Sequence, residues 1–197
     1  MKYKFPIIND ISEVRTAIRG RADFIECHKE DYIVFNYVIA TPDTFPPVEG
    51  WKNAMLRECR GLIFNAESGK CIRRPFHKFF NFGEREETME LEPEFQVLEK
   101  LDGSMICFFK INGKQIWGTK MGLTDISYDV EKFVQNSEIN YIDFVNNFFD
   151  AGYSCMFEWI SPKNRIVLPY EQENLILTAI RNIKTGEYLN IYDLNNV

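Results

Sequence analysis

The sequence predicts an α+β fold made of antiparallel sheets with inserted helices. Three observations carry that expectation. Short β-branched and aromatic runs recur, mostly joined by turn-forming residues. One stretch, ICFFKINGKQIWGTK, holds Asn112-Gly113 between two apolar runs, the strongest short-range hairpin signal. The period then changes over Asp129–Asp150, where Val130, Phe133 and Val134, and later Ile142, Val145, Phe148 and Phe149, recur at helical spacing. Strands linked by short turns disfavour a doubly wound parallel sheet.

In chain order, Asp10 is a candidate N-cap for a short helix over Ile11–Arg21. Asp31–Thr41 (DYIVFNYVIAT) is β-branched and aromatic and reads as a strand. Thr41–Gly50 holds three Pro and one Gly and reads as a loop. CRGLIFNAESGKCIRRPF reads as two strands around a turn at Glu67–Gly69, followed by the Asn112-Gly113 hairpin. Ala151-Gly152 stops the helical stretch, and SCMFEWI and NLILTAIRN read as two further strands. TGEYLNIYDLNNV reads as a turn, a short strand and the start of another element. There is no internal repeat and no low-complexity segment.

The 197 residues are 45% hydrophobic and include 17 Phe, enough for a real core and too apolar for disorder. The net charge of −6 means that any nucleic-acid contact is expected to be local. Five scattered Cys without a CxxC pair point to reduced thiols in a cytosolic protein, and two His are too few for a His-rich metal site. MKYKFPIIND lacks a signal-peptide core, and no apolar run is long enough for a membrane span.

The candidate chemistry starts at Lys100, in VLEKLDGSMI. A lysine inside an apolar strand loses its proton more easily, and a neutral amine is a nucleophile. Asp102 and Gly103 would form a sharp turn holding that amine at a pocket mouth. The alternative is a surface turn with Lys100 and Asp102 in water. Charged residues recur in other apolar stretches: Glu158 in CMFEWI, Lys120 after IWGT, Arg60 in ECRGLIF and Lys78 in RPFHKFFNFGE. Buried charges need partners or a function, so these positions suggest a lined pocket. Its cations would meet a polyphosphate, its acid a ribose hydroxyl, and Phe80 or Tyr37 a base. Against this, Glu158 or Lys120 would simply be solvent-facing if its strand were half-exposed. RRPFHKFFNFGE suits either nucleic-acid contact or a buried aromatic cluster with a basic rim. No Gly-rich phosphate loop, HExxH or GxSxG is present.

FNYVI, ECRGLIF, RPFHKFFNFGE, EKLDGS, GTK, FEWISPKNRIVLPYE and LTAIRN stand in this order from about Phe35 onward. In these segments the chain resembles the covalent nucleotidyltransferases, most closely RNA ligases of the bacteriophage T4 RNA ligase 1 type. The resemblance implies an antiparallel-sheet nucleotidyltransferase domain over residues 1–197. It also implies an ATP-dependent activity with Mg²⁺ or Mn²⁺. Lys100 would take AMP from ATP, pass it to an RNA 5′-phosphate, and a 3′-hydroxyl would displace it. Tyr37, Arg60, Lys78, Phe80, Glu99, Asp102, Gly103, Lys120 and Glu158 would bind the nucleotide or shape its loop, with the backbone near Glu99 reading the adenine edge. No metal ligand is assigned. RNA ends, tRNA among them, would be the partners, and the host cytoplasm the location for a phage protein. The family continues with a Glu-Gly strand, a Lys-x-Lys strand and a helical domain, so the domain is expected to be incomplete after Val197. A fragment, a second chain supplying the remainder, and a decayed ligase that only binds nucleotide or RNA ends are the three readings. Ser104-Met105 after Gly103 weighs against a DNA ligase or capping enzyme.

Overall fold

The computed structural model describes residues 5–85 and 97–191. Its strands form two antiparallel sheets of four, in line with the expected α+β class. The first runs β1 (Phe24–His28), β2 (Tyr32–Tyr37), β3 (Arg60–Asn65) and β4 (Cys71–Arg73) in spatial as well as chain order. The second holds β5 (Ser104–Ile111), β6 (Lys114–Gly118), β7 (Tyr153–Ile160) and β8 (Asn174–Asn182), in the order β6-β5-β7-β8. The β5–β6 turn has Asn112 at φ 48° and Gly113 at φ 75°, the paired positive values that a tight two-residue hairpin demands.

Helix α1 (Ile11–Ile18) starts at Asp10 as expected. The Asp10 carboxylate accepts the Ser12 N–H at 2.8 Å, and Glu13 reaches back to the Asp10 N–H at 3.2 Å, a complete capping box. The helical stretch expected over Asp129–Asp150 is two helices, α3 (Asp125–Asn136) and α4 (Tyr141–Asp150). Thr124 and Ser127 cap α3 four residues before the expected start. Ser137 is extended at φ −81°, ψ 143°, and Asn140 caps α4 by accepting the Asp143 N–H at 3.1 Å. Two elements lack a sequence expectation, β1 and α2 (Trp51–Glu58). α2 buries five consecutive residues, Ala54 to Glu58, instead of one stripe, and Gly50 caps it without a side chain. The end of the last expected element, residues 192–197, lies outside the described residues.

The sheets face each other across Tyr32, Val34 and Ile63 on one side and Phe109, Ile111 and Ile116 on the other. The Tyr32 and Phe109 rings meet edge to face at 5.3 Å. Helices α1 and α2 cover the outer face of the first sheet, and α3 and α4 that of the second. The five cysteines form no disulfide. Among the described residues no helix is long and apolar enough to cross a membrane.

At one end the layers are joined by charge. Glu58, the last residue of α2, lies between Arg74, just after β4, and Arg181 on β8, and all three side chains are fully buried. Glu58 Oε1 is 2.9 Å from Arg74 Nη2, and Oε2 accepts from Arg181 Nη1 at 2.8 Å. The guanidinium groups also donate to the carbonyls of Pro6 and Lys184 (Arg74) and of Pro75 and Gly186 (Arg181). Burial alone would raise the Glu58 pKa, but the charges of Arg181 and Arg74 hold it down to about 2.

Glu58→Gln would strand two buried cations and is expected to cost about 3–5 kcal/mol in urea unfolding. The folded pKa lies below the ordinary 4.5, so the Glu58 contribution is complete above that value and fades as pH falls toward 2. The variant should lack this acid limb of the stability curve.

Candidate active site

Arg60 opens β3 and reaches across to the second sheet. Its guanidinium lies over the Phe79 ring at 5.3 Å, and its Nη1 is 3.6 Å from the Met105 sulfur. Met105 pairs with Glu158 between β5 and β7, so Arg60 meets the second sheet at the level of that carboxylate. Lys120 lies over the Tyr37 ring at 4.6 Å and Lys78 over the Phe80 ring at 4.2 Å. Burial lowers the Lys120 pKa, and the Arg60 charge lowers it further. Burial lowers that of Lys78 too, with Glu84 opposing and Arg60, Arg85 and Arg57 adding to the fall. The structure thus groups Arg60, Lys78 and Lys120 at one end of the seam between the sheets.

Close backbone packing sets this grouping. Gly61, at φ +86°, faces Lys120 so closely that a Cβ there would sit 2.9 Å from its carbonyl oxygen. Buried Arg73 donates to the Gly61 carbonyl at 2.8 Å and to the Thr119 carbonyl at 2.9 Å, with its guanidinium over Phe109 at 5.2 Å. Asn36 pairs with Arg60 at a β2–β3 irregularity, and its Nδ2 donates to the Lys120 carbonyl at 3.1 Å. The Thr119–Gly122 turn after β6 closes with reciprocal bonds of 2.9 Å, and the Tyr32 hydroxyl accepts the Leu123 N–H at 3.0 Å.

Lys100 does not lie in a buried strand. It is exposed, in irregular chain that begins with Val97 at 86% exposure, and β5 starts only at Ser104. The surroundings of Lys100 are those of the surface-turn alternative. The physical reason is the anchoring of the turn itself. Gly103 is pressed on the Trp159 carbonyl, leaving no room for a Cβ. The Asp102 carboxylate accepts the Val167 and Leu168 N–H groups, each at 2.6 Å, and the Asp102 N–H donates to the Tyr170 hydroxyl at 3.0 Å. The amide bonds from Leu168 and Val167 pull the Asp102 pKa below the ordinary carboxylate range. The turn is therefore held from the Asp102 side, while Lys100 projects ahead of it. Glu99 is exposed beside Lys100. Lys78 also sits outside any strand. Its segment leaves β4 at Arg73 and is pinned by the Lys78 N–H on the Arg57 carbonyl at 2.7 Å.

Glu158 does stand in a strand, half-buried on β7. Its Oε1 accepts the Gly103 N–H at 3.0 Å. Burial raises its pKa; the Gly103 bond and the charges of Lys100 and Arg60 act against the rise without cancelling it. Glu158 thus feels both the Lys100 loop and the cation group. A cavity of about 400 Å³ opens beside Lys120, bordered by Ser104, Met105, Thr119 and the first turn of α3. Among the described residues no group of three His, Cys, Asp or Glu is placed to hold a metal.

Sequence reasoning assigned no role to Arg73, Asn36, Phe79 or Asn164. Asn164 exchanges hydrogen bonds with Ser104 at 2.9 and 3.2 Å and so fixes the start of β5. Its place in FEWISPKNR, close after Glu158, was the available signal.

The family model described as RNA ligase matches residues 58–196. The chain belongs to the RNA ligase family of the bacteriophage T4 type. A Thermovibrio ammonificans protein with a provisional RNA ligase name is 32% identical over 175 residues, covering 87% of this chain and 44% of that protein. A protein of Autographa californica nuclear polyhedrosis virus, provisionally named a bifunctional polynucleotide kinase/RNA ligase, is 31% identical over 182 residues, covering 81% of the chain and 25% of that protein. RNA ligase 1 of bacteriophage TS2126 is 27% identical over 187 residues, covering 89% and 46%. The chain spans less than half the length of each of these three relatives. The matched region begins at Glu58 and takes in every candidate residue of this RNA ligase family chain except Tyr37.

Replacing Arg60 by Met should raise the pKa of both Glu158 and Lys120, because the Arg60 charge now lowers each. Side-chain NMR titration reads both shifts; a change at neither would show that Arg60 does not join the two groups.

Proposed function

We propose that this chain is the adenylyl-transferring portion of an ATP-dependent RNA ligase. The observation that carries the reading is the convergence on Glu158: it holds the Gly103 N–H of the Lys100 loop and feels the charges of Lys100 and Arg60. A nucleophile loop and a cation group around one carboxylate suit phosphoryl-type transfer, which needs positioning and charge neutralisation more than acid–base work. Family membership supports the same reading.

In this mechanism the Lys100 amine attacks the α-phosphorus of ATP. The P–N bond forms, the bond to pyrophosphate breaks, and the amine's proton passes to solvent. Arg60 and Lys78 take the phosphates, and Lys120 neutralises the reacting phosphate or the leaving group. Tyr37 and Phe80 border the nucleotide, and Glu158 receives the ribose hydroxyls. Asp102 and Gly103 hold the loop, and the backbone at Glu99 meets the adenine edge. Mg²⁺ or Mn²⁺, when bound with ATP, would neutralise phosphate charge. The AMP then moves to an RNA 5′-phosphate, and a 3′-hydroxyl displaces it to seal the strand. Because Lys100 is exposed, bound ATP has to cover it. That exposure also favours a second reading, a protein that binds nucleotide or RNA ends without turnover.

Incubation with ATP and Mg²⁺ followed by intact-mass spectrometry separates the two. A covalent AMP adduct on the wild type that disappears in Lys100→Ala is expected. No adduct on a wild type that still binds ATP would show that this span binds nucleotide without adenylylating itself, and an adduct surviving Lys100→Ala would remove Lys100 from the chemistry. Lys78→Ala is expected to weaken ATP binding by about 1.5–3 kcal/mol, or roughly 10- to 150-fold by calorimetry.

A further inference from the structure

Thr41–Gly50 reads in the sequence as a Pro-rich connector, yet its one aromatic side chain, Phe45, is fully buried. Local bonds fix the stretch. The Thr41 and Thr44 hydroxyls lie 2.9 Å apart, and Arg21 donates to the Asp43 carbonyl at 2.8 Å. Phe45 meets three rings edge to face: Phe24 at 5.7 Å, Tyr37 at 5.2 Å and Phe80 at 6.2 Å. Two of these rings carry lysines of the candidate site. Lys120 lies over Tyr37 at 4.6 Å, and Lys78 lies over Phe80 at 4.2 Å, where Arg85 and Arg57 also approach.

The two lysines are held differently. Lys78 also donates to the Phe79 carbonyl at 2.7 Å and feels the Glu84 charge. Lys120 is half-buried, and among the described residues no acid acts on it; the Tyr37 ring faces its ammonium. Burial and the Arg60 charge both favour its neutral form. The ring works the other way, because its quadrupole attracts an ammonium although the ring has no net charge. Lys120 is thus held as a cation without being neutralised. A carboxylate in the same place would form an ion pair, which a phosphate would have to break before binding. Asn36 fixes the Lys120 carbonyl at 3.1 Å, so the backbone is already set and the ring acts on the side chain.

We infer that Phe45 is a positioning residue of this site, which sets the Tyr37 ring so that its face holds the Lys120 ammonium. What Lys120 then does to a phosphate rests on the ligase reading above; the ring arrangement does not.

An NMR titration of isotope-labelled lysine side chains in the free chain tests it, beside the AMP-adduct assay on the same preparations. The Lys120 signal is the one lost in Lys120→Arg. Phe45→Leu keeps an apolar side chain in the core but removes the ring, and it should lower the Lys120 pKa and slow adduct formation about 2- to 5-fold. Tyr37→Phe should leave the Lys120 pKa where it is. Trifluorinated phenylalanine at position 37, which drains charge from the ring face at nearly constant shape, should lower it. Should Phe45→Leu fail to fold, Phe45→Met carries the same expectation. A folded Phe45 variant that titrates Lys120 as the wild type does would overturn the positioning role. A fluorinated ring that leaves the Lys120 pKa unchanged would overturn Tyr37 as the group through which Phe45 acts. A Lys120 pKa that follows these rings in a wild type that forms no AMP adduct would uphold the positioning while the ligase reading failed.

Discussion

Glu58 is the charge on which the two halves of the molecule close. It ends α2, which packs on the first sheet, and it binds Arg181 of the second sheet as well as Arg74 beyond β4. A carboxylate buried with two guanidinium groups is stable only because each side compensates the other's lost hydration. The spare donors of both arginines then take main-chain carbonyls from Pro6, Pro75, Lys184 and Gly186, so chain segments far apart in sequence meet at one point. The apolar seam around Tyr32 and Phe109 supplies attraction between the sheets without direction, and the ion triad adds directional bonds that fix their relative position.

The candidate site depends on that stopping point. Once the sheets are set, Arg73 can bridge the Gly61 and Thr119 carbonyls, and Asn36 can reach the carbonyl of Lys120. Arg60 and Lys120 carry like charges and would separate if their backbones were free. They stay close because main-chain and buried side-chain contacts hold them, with the cost visible as the lowered Lys120 pKa. In the proposed mechanism these cations meet the phosphates of ATP, whose binding would relieve the repulsion. In the segment after β4 two further cations, Lys78 and Arg85, lie over the Phe80 ring.

The acidic side of the site is organised differently. Asp102 spends its charge on the Val167 and Leu168 amides and so ties the Lys100 loop to the loop after β7. Glu158 keeps a raised pKa because its burial exceeds what one amide bond and two distant cations return. Two carboxylates, Asp102 in the turn before β5 and Glu158 on β7, thus have opposite shifts, one from accepted amide bonds and the other from burial.

Local physics determined much of this from sequence alone. The Asn112-Gly113 turn needs positive φ at two adjacent residues, and few dipeptides accept that; Asp10 and Glu13 form a box whose spacing is its own signature. The strands other than β1, the α+β class and the ordered segments of the RNA ligase family were readable for the same reason: each is encoded within a short run. Helix α2 escaped because its buried Arg57 and Glu58 look like surface residues until Arg74 and Arg181 are brought to them. The apolar flanks Val97, Leu98 and Leu101 leave Lys100 open between a buried strand and a surface turn, and the turn that exposes it is anchored by Trp159, Val167 and Leu168, more than fifty residues away. Which charges are buried, which are shared and which face solvent is a property of long-range packing, and only the tertiary structure decided it.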